Sequence, residues 1–175
     1  VTSGGGEALI VIDMLNDFVL PGAPLEVPSA RGIIPAIKRR IDDARERGIP
    51  VIYVCDAHAQ DDREFGAWPR HAVGGTEGAK VIEELAPGPT DTVVDKTTYS
   101  VFYNTDLERV LTDKGVRKII LTGILTNICV YYAAVEAVVR GFEVEVATDG
   151  IAALTSRDHE FALEQMDKVL KVRLI

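Results

Sequence analysis

"KIILTGILTNICVYYAAVEAVVRG", residues 118–141, contains a short apolar run, a turn and a longer apolar segment closed by glycine. The run that ends at Gly123 is continuous and rich in Val, Ile and Thr, which predicts a buried strand over 116–123. The segment after it predicts a helix stopped by Gly141. Cys129 then stands just past a strand, in the first turn of a helix. A thiol in that position is either a packed apolar residue or a nucleophile whose anion the helix N-terminus favours.

The same strand-then-helix order extends in both directions from this stretch. Strands are predicted over 8–13, 49–55 and 91–96 before it, and over 143–149 and 171–175 after it. Between them, helices are predicted over 35–48, 76–85 (capped by Thr76), 104–115 (with a Thr105/Glu108 capping box) and 156–170 (capped by Ser156). Strands apolar on both faces, alternating with helices, imply an α/β three-layer sandwich: a mostly parallel sheet covered by helices on both faces. Residues 1–7, VTSGGGE, read as a flexible tail without the charged and apolar regions of a signal peptide, and 8–175 as a single domain. The first strand is not followed by the glycine fingerprint of a dinucleotide site.

Composition narrows the function classes. The 175 residues carry a net charge of −8, and the sequence pI is about 4.9. Such a chain lacks the basic patches that nucleic acid or anionic membrane would require, and no apolar run approaches the ~20 residues of a membrane span. Cys55 and Cys129 make no disulfide framework, which fits a reducing, cytoplasmic setting.

Ligands of open α/β sheets bind at the carboxyl ends of the strands. Asp13, Cys55–Asp56, Lys96 and Cys129 all fall there, from segments far apart in sequence. An acid, an ammonium and a thiol at one sheet edge suit nucleophilic catalysis, with Asp13 taking the thiol proton. Lys96 and the helix end are expected to pull the thiol pKa below its ordinary ~8.5, while Asp13 as a neighbouring carboxylate raises it unless it takes the proton. The bland alternatives are a structural cysteine and a surface lysine; an aspartate ending "LIVI" needs a partner or a task in either case. The loop "DAHAQDDREFGAWPRH", 56–71, adds Asp56, His58, Glu64 and His71, a donor set for Zn²⁺, Mn²⁺ or Fe²⁺. As bare spacing it reads first as a polar surface loop; its position at the same carboxyl edge of the sheet, with two of the three histidines in it, favours a site.

Four stretches, "VIDMLNDF" (11–18), "DAH…WPRHAVGGTEG" (56–78), "DKTTYSVFYNTDLE" (95–108) and "TGILTNICVYYAAVEA" (122–137), make the chain resemble the isochorismatase-like cysteine hydrolases, and among them the nicotinamidases or pyrazinamidases. The resemblance implies an Asp13–Lys96–Cys129 triad. It also implies a non-proline cis peptide between Ile124 and Leu125, and an oxyanion hole made of the Leu125 and Cys129 N–H groups. It implies one divalent ion, zinc or else manganese or iron, on Asp56, His58 and His71, with Phe18 and Trp68 holding a pyridine ring. A common nicotinamidase pattern has a further histidine in a longer loop, where this chain offers Glu64. The activity implied is hydrolysis of nicotinamide and pyrazinamide through a Cys thioester, within pyridine-nucleotide salvage, by a homo-oligomer (dimer or tetramer) whose apolar 130–139 helix is a candidate interface. The rivals are a metal-free family hydrolase of a carbamoyl amide or vinyl ether, and a non-catalytic thiol sensor.

Overall fold

The computed structural model describes residues 6–175; residues 1–5 of the expected tail lie outside the described residues. Six strands form one sheet: β1 (Glu7–Ile12), β2 (Val51–Asp56), β3 (Thr92–Lys96), β4 (Lys118–Ile124), β5 (Glu143–Ala152) and β6 (Arg173–Leu174). Their order is β3-β2-β1-β4-β5-β6, and every pairing is parallel. Glu7, expected in the tail, opens β1.

Successive β1 residues face opposite layers, as the strand period of two requires. Ala8, Ile10 and Ile12 pack with α3 (Leu107–Asp113), α4 (Cys129–Val139) and α5 (Ser156–Lys168). Leu9 and Val11 pack with α2 (Ala30–Glu46), which follows the single-turn α1 (Asn16–Val19) and presents Ile33, Ile37, Ile41 and Ala44 to the sheet. Each fully buried Ile or Leu contributes about 1.5–3 kcal/mol of transfer free energy, so both faces are secured by their own apolar layer. The helix expected to serve as an interface, α4, spends Val130, Ala133, Ala134 and Ala137 on this chain's own core and leaves Tyr132 and Val139 exposed.

The 76–85 helix does not form. Two short 3₁₀ turns, Glu77–Ala79 and Glu83–Leu85, stand in its place. The chain between them is extended, because Asn16 N–H donates to Lys80 O and Ile82 N–H to Met14 O. This pairing with the segment after β1 outcompetes local helix propensity. Thr76 makes no side-chain cap bond, and Thr155, not Ser156, caps α5 by accepting from Asp158 N–H. The Thr105/Glu108 box is also absent: Thr105 Oγ1 donates to Val101 O, while Glu108 pairs with Arg140.

Strand order reverses between β1 and β4, and a crevice opens at their carboxyl ends. Gly123 lets them close up. It has φ +109° in contact with β1, where a Cβ would overlap the Ile12 carbonyl oxygen. Only glycine fits both constraints.

Candidate active site

Asp13 follows β1 directly. Its N–H still extends the ladder to Val54 O at 3.0 Å, but its φ of 54° turns the side chain out of strand alternation; aspartate tolerates this left-handed geometry better than most residues. Lys96 is the last residue of β3, paired in register with Asp56 at the end of β2. Its side chain is fully buried. The ammonium lies 2.9 Å from Asp13 Oδ2 and 3.6 Å from Cys129 Sγ. It donates to Thr98 O at 3.0 Å and to the Asp56 carboxylate. The strand ends therefore bring Asp13, Lys96, Asp56 and Cys129 together as the sequence suggested.

The thiol is not the depressed one expected from Lys96 and the helix end. Burial pushes Cys129 well above the ordinary thiol range; Lys96 pulls it down, but Asp13 and Asp56 push it up again. One ammonium shared by two carboxylates cannot offset the loss of solvent. Burial, then the Asp56 charge, raises Asp13 to about 6 against the pull of Lys96. Burial works against the Lys96 charge, yet Asp13, the thiol and Asp56 outweigh it and hold the ammonium above its usual range. Near neutral pH the resting arrangement is a thiol beside an ionised carboxylate, the pairing a general base needs.

Asp56, His58 and His71, all buried, bring one donor atom each within 4.8 Å of one another. His58 Nδ1 is 3.0 Å from Asp62 Oδ2 and His71 Nδ1 is 2.6 Å from Pro69 O. With each Nδ1 so held, each Nε2 is left as the ligand atom, the orientation metal-binding imidazoles adopt. His58 Nε2 is buried without a hydrogen-bond partner and lies 3.5 Å from Asp56 Oδ2. One carboxylate oxygen and two imidazole nitrogens suit zinc, manganese or iron, so these residues fit a divalent ion. Glu64 stands beside the group, with Oε1 3.7 Å from His71 Nε2.

The pocket between these two clusters has a volume of about 120 Å³, suited to a small molecule. Phe18, Trp68, Tyr99 and Leu154 line it along with Asp13, His71 and Cys129. The Phe18 ring lies 5.5 Å from the His71 ring. Ile124 and Leu125 also line the pocket, and the peptide between them is cis, as the resemblance implied. Among the described residues, the Leu125 and Cys129 N–H groups have no backbone acceptor.

Residues 7–173 match the isochorismatase domain. The chain belongs to the isochorismatase family. It is 33% identical over 173 residues to a probable inactive nicotinamidase of Arabidopsis thaliana, covering 93% of this chain and 88% of that protein. It is 32% identical over 149 residues to the ureidoacrylate amidohydrolase of Agrobacterium fabrum, covering 70% of this chain and 65% of that one. The structure of the Pyrococcus horikoshii pyrazinamidase in complex with zinc superposes with a TM-score of 0.90 at 33% identity, covering 97% of this chain and 98% of that one. The α/β fold expected from the strand pattern is therefore that of isochorismatase-like hydrolases.

Several residues that shape this isochorismatase-family site were not singled out in the sequence. Asp62 and the Pro69 carbonyl orient the two imidazoles. Tyr99 accepts from Trp68 Nε1 at 2.8 Å, joining two loops over the pocket. Asp17 accepts from Ala72 N–H at 2.8 Å and so ties the histidine loop to the turn carrying Phe18. The "DDRE" and "NDF" acids had no periodicity to distinguish them from solvated charges.

Proposed function

We propose that this chain is a metal-containing amidohydrolase that cleaves nicotinamide, and pyrazinamide, to the acid and ammonia through a thioester on Cys129. The supporting observation is the Lys96 ammonium in contact with both the Asp13 carboxylate and the Cys129 thiol, where Asp13 and Cys129 line a small pocket together with Asp56 and His71.

Asp13 takes the Cys129 proton while Lys96 stabilises the anion, and the thiolate adds to the carboxamide carbon. The N–H groups of Leu125 and Cys129 receive the oxyanion. Asp13 returns the proton to the leaving ammonia, which departs as the thioester forms. Asp13 then deprotonates a water, which adds to the thioester, expels the thiolate and yields the acid. Asp56, His58 and His71, with Glu64 at the open side, would hold the divalent ion, which when bound supplies a Lewis-acid contact for the ring nitrogen. Phe18 and Trp68 flank the ring. The setting this reading implies is a homo-oligomeric, cytoplasmic enzyme of pyridine-nucleotide salvage.

Ammonia release from nicotinamide, pyrazinamide and benzamide, with and without chelator, tests the proposal. Benzamide matches nicotinamide in shape but lacks the nitrogen, and a site built around a polar group discriminates against such an analogue by up to ~10⁴. Comparable kcat/KM for benzamide and nicotinamide would refute the nitrogen contact. The ureidoacrylate amidohydrolase likeness supports a second reading, hydrolysis of a carbamoyl amide by the same triad without metal; turnover of such amides undiminished by chelator would favour it.

A further inference from the structure

Thr126 lies between the two candidate oxyanion donors and is fully buried. It is held at two points. Its N–H donates to the Ala152 carbonyl at the end of β5, at 2.9 Å. Its hydroxyl shares a 2.9 Å hydrogen bond with Nδ1 of His159. His159 stands in the first turn of α5, where its own N–H donates to Thr155 O at 3.1 Å. That helix is seated in the core by Ala162 and Met166.

At the ends of the segment Ile124 pairs with Ala152 and the Lys96 ammonium reaches Cys129 Sγ; other bonds close on the segment itself. Ile128 and Val130 N–H both donate to Leu125 O, and Asn127 Oδ1 is buried without a hydrogen-bond partner. β4 and α4 hold the two ends of the segment, and at its middle Thr126 carries the hydrogen bonds to β5 and α5. One backbone hydrogen bond permits rotation about itself; a second attachment from another element removes that freedom. His159 lines no part of the pocket, and it is the one histidine of three that stands outside the Asp–His–His group.

We propose that His159 is a positioning residue, which through Thr126 fixes the 124–129 loop and with it the N–H groups facing the reacting carbonyl. The proposal rests on the reading of Cys129 as the nucleophile. It assigns no proton transfer to His159. Reactive groups displaced by about 1 Å lose on the order of 10²-fold in rate, so a remote anchor of this kind acts on kcat.

His159→Ala and His159→Asn are compared with the wild type by four measurements: nicotinamide hydrolysis, hydrogen exchange of the 124–129 segment, alkylation of Cys129 by iodoacetamide, and thermal melting. The asparagine amide can stand where Nδ1 stood. In the alanine variant, exchange in the loop should accelerate and the alkylation rate should change, with exchange in β1 and in residues 118–123 of β4 unaltered. Its kcat should fall roughly 10- to 100-fold with KM within about twofold. His159→Asn should restore loop protection and most of kcat. Unchanged loop exchange in His159→Ala overturns the proposal. So does equal impairment of the two variants, or a loss of activity that comes with faster exchange throughout the sheet. A wild-type protein inert toward nicotinamide would refute the nicotinamide reading alone, because exchange and alkylation still decide the role of His159.

Discussion

The backbone N–H of Asp56 donates to Asp13 Oδ1 at 2.8 Å, so the ends of two adjacent strands are locked to each other. Asp56 divides its carboxylate between the two halves of the site. Oδ1 accepts from Lys96, and Oδ2 faces His58 Nε2 at 3.5 Å. The thiol cluster and the candidate metal group are therefore one structure sharing a buried side chain, and each sets the geometry of the other.

Cys129→Ala should abolish turnover and melt close to the wild type, since alanine suits a helix. Cys55→Ala should keep most activity: that thiol is buried among α2-side residues and does not line the pocket. Steady-state rates and melting curves of both variants check this, and turnover surviving in Cys129→Ala would contradict the assignment.

Lys96→Met should destabilise the fold. The substitution leaves Asp13 and Asp56 buried and facing each other without their shared cation. Breaking a buried pair in this way costs about 3–5 kcal/mol. Urea denaturation should show the midpoint falling at constant slope, together with loss of activity. A stability within about 1 kcal/mol of the wild type would mean that solvent reaches these carboxylates.

His71→Ala should weaken metal binding before it weakens the fold. It removes one of three buried donor atoms, while the loop keeps its Ala72 N–H bond to Asp17. Elemental analysis should find a divalent ion bound stoichiometrically to the wild type and depleted in the variant. If ring orientation depends on it, KM should rise more than kcat falls. Full metal content in His71→Ala would remove His71 from the ligand set.

Gly123→Ala should be among the most damaging single-methyl additions. The new Cβ would meet the Ile12 carbonyl oxygen at a φ of +109°, which forces β4 away from β1. A loss of about 3 kcal/mol or more is expected, the range of severe core damage. Chemical denaturation measures it.

The sheet was legible because its strands carry their own signal. Ala8 to Ile12 and Val51 to Val54 are apolar on both faces, a pattern that a parallel, doubly covered sheet requires. Once strand ends were located, Asp13, Lys96 and Cys129 followed from topology. The 76–85 segment was misread because its extended pairing with residues 14–16 is a tertiary contact invisible to local periodicity. Gly78 in that segment, where a Cβ would overlap the Asp17 carboxylate, was a legible warning of close packing. The direction of the thiol shift was missed for a different reason. Sequence counts the charges around Cys129 but not the solvent it loses, and burial is the largest influence. The role of His159 is not legible, since nothing along the chain connects it with a threonine 33 residues away.

The reversal of strand order between β1 and β4 also bears on biosynthesis. β1 pairs with β2 early in the chain, but its other edge waits for a partner more than a hundred residues downstream. Closing so long a loop is slow and comes late in folding. During synthesis Asp13 emerges well before Cys129, and the thiol meets its base only when β4 docks beside β1. A nascent or truncated chain ending before residue 118 holds the acid and the lysine without the nucleophile, and leaves an apolar strand edge for chaperones to shield.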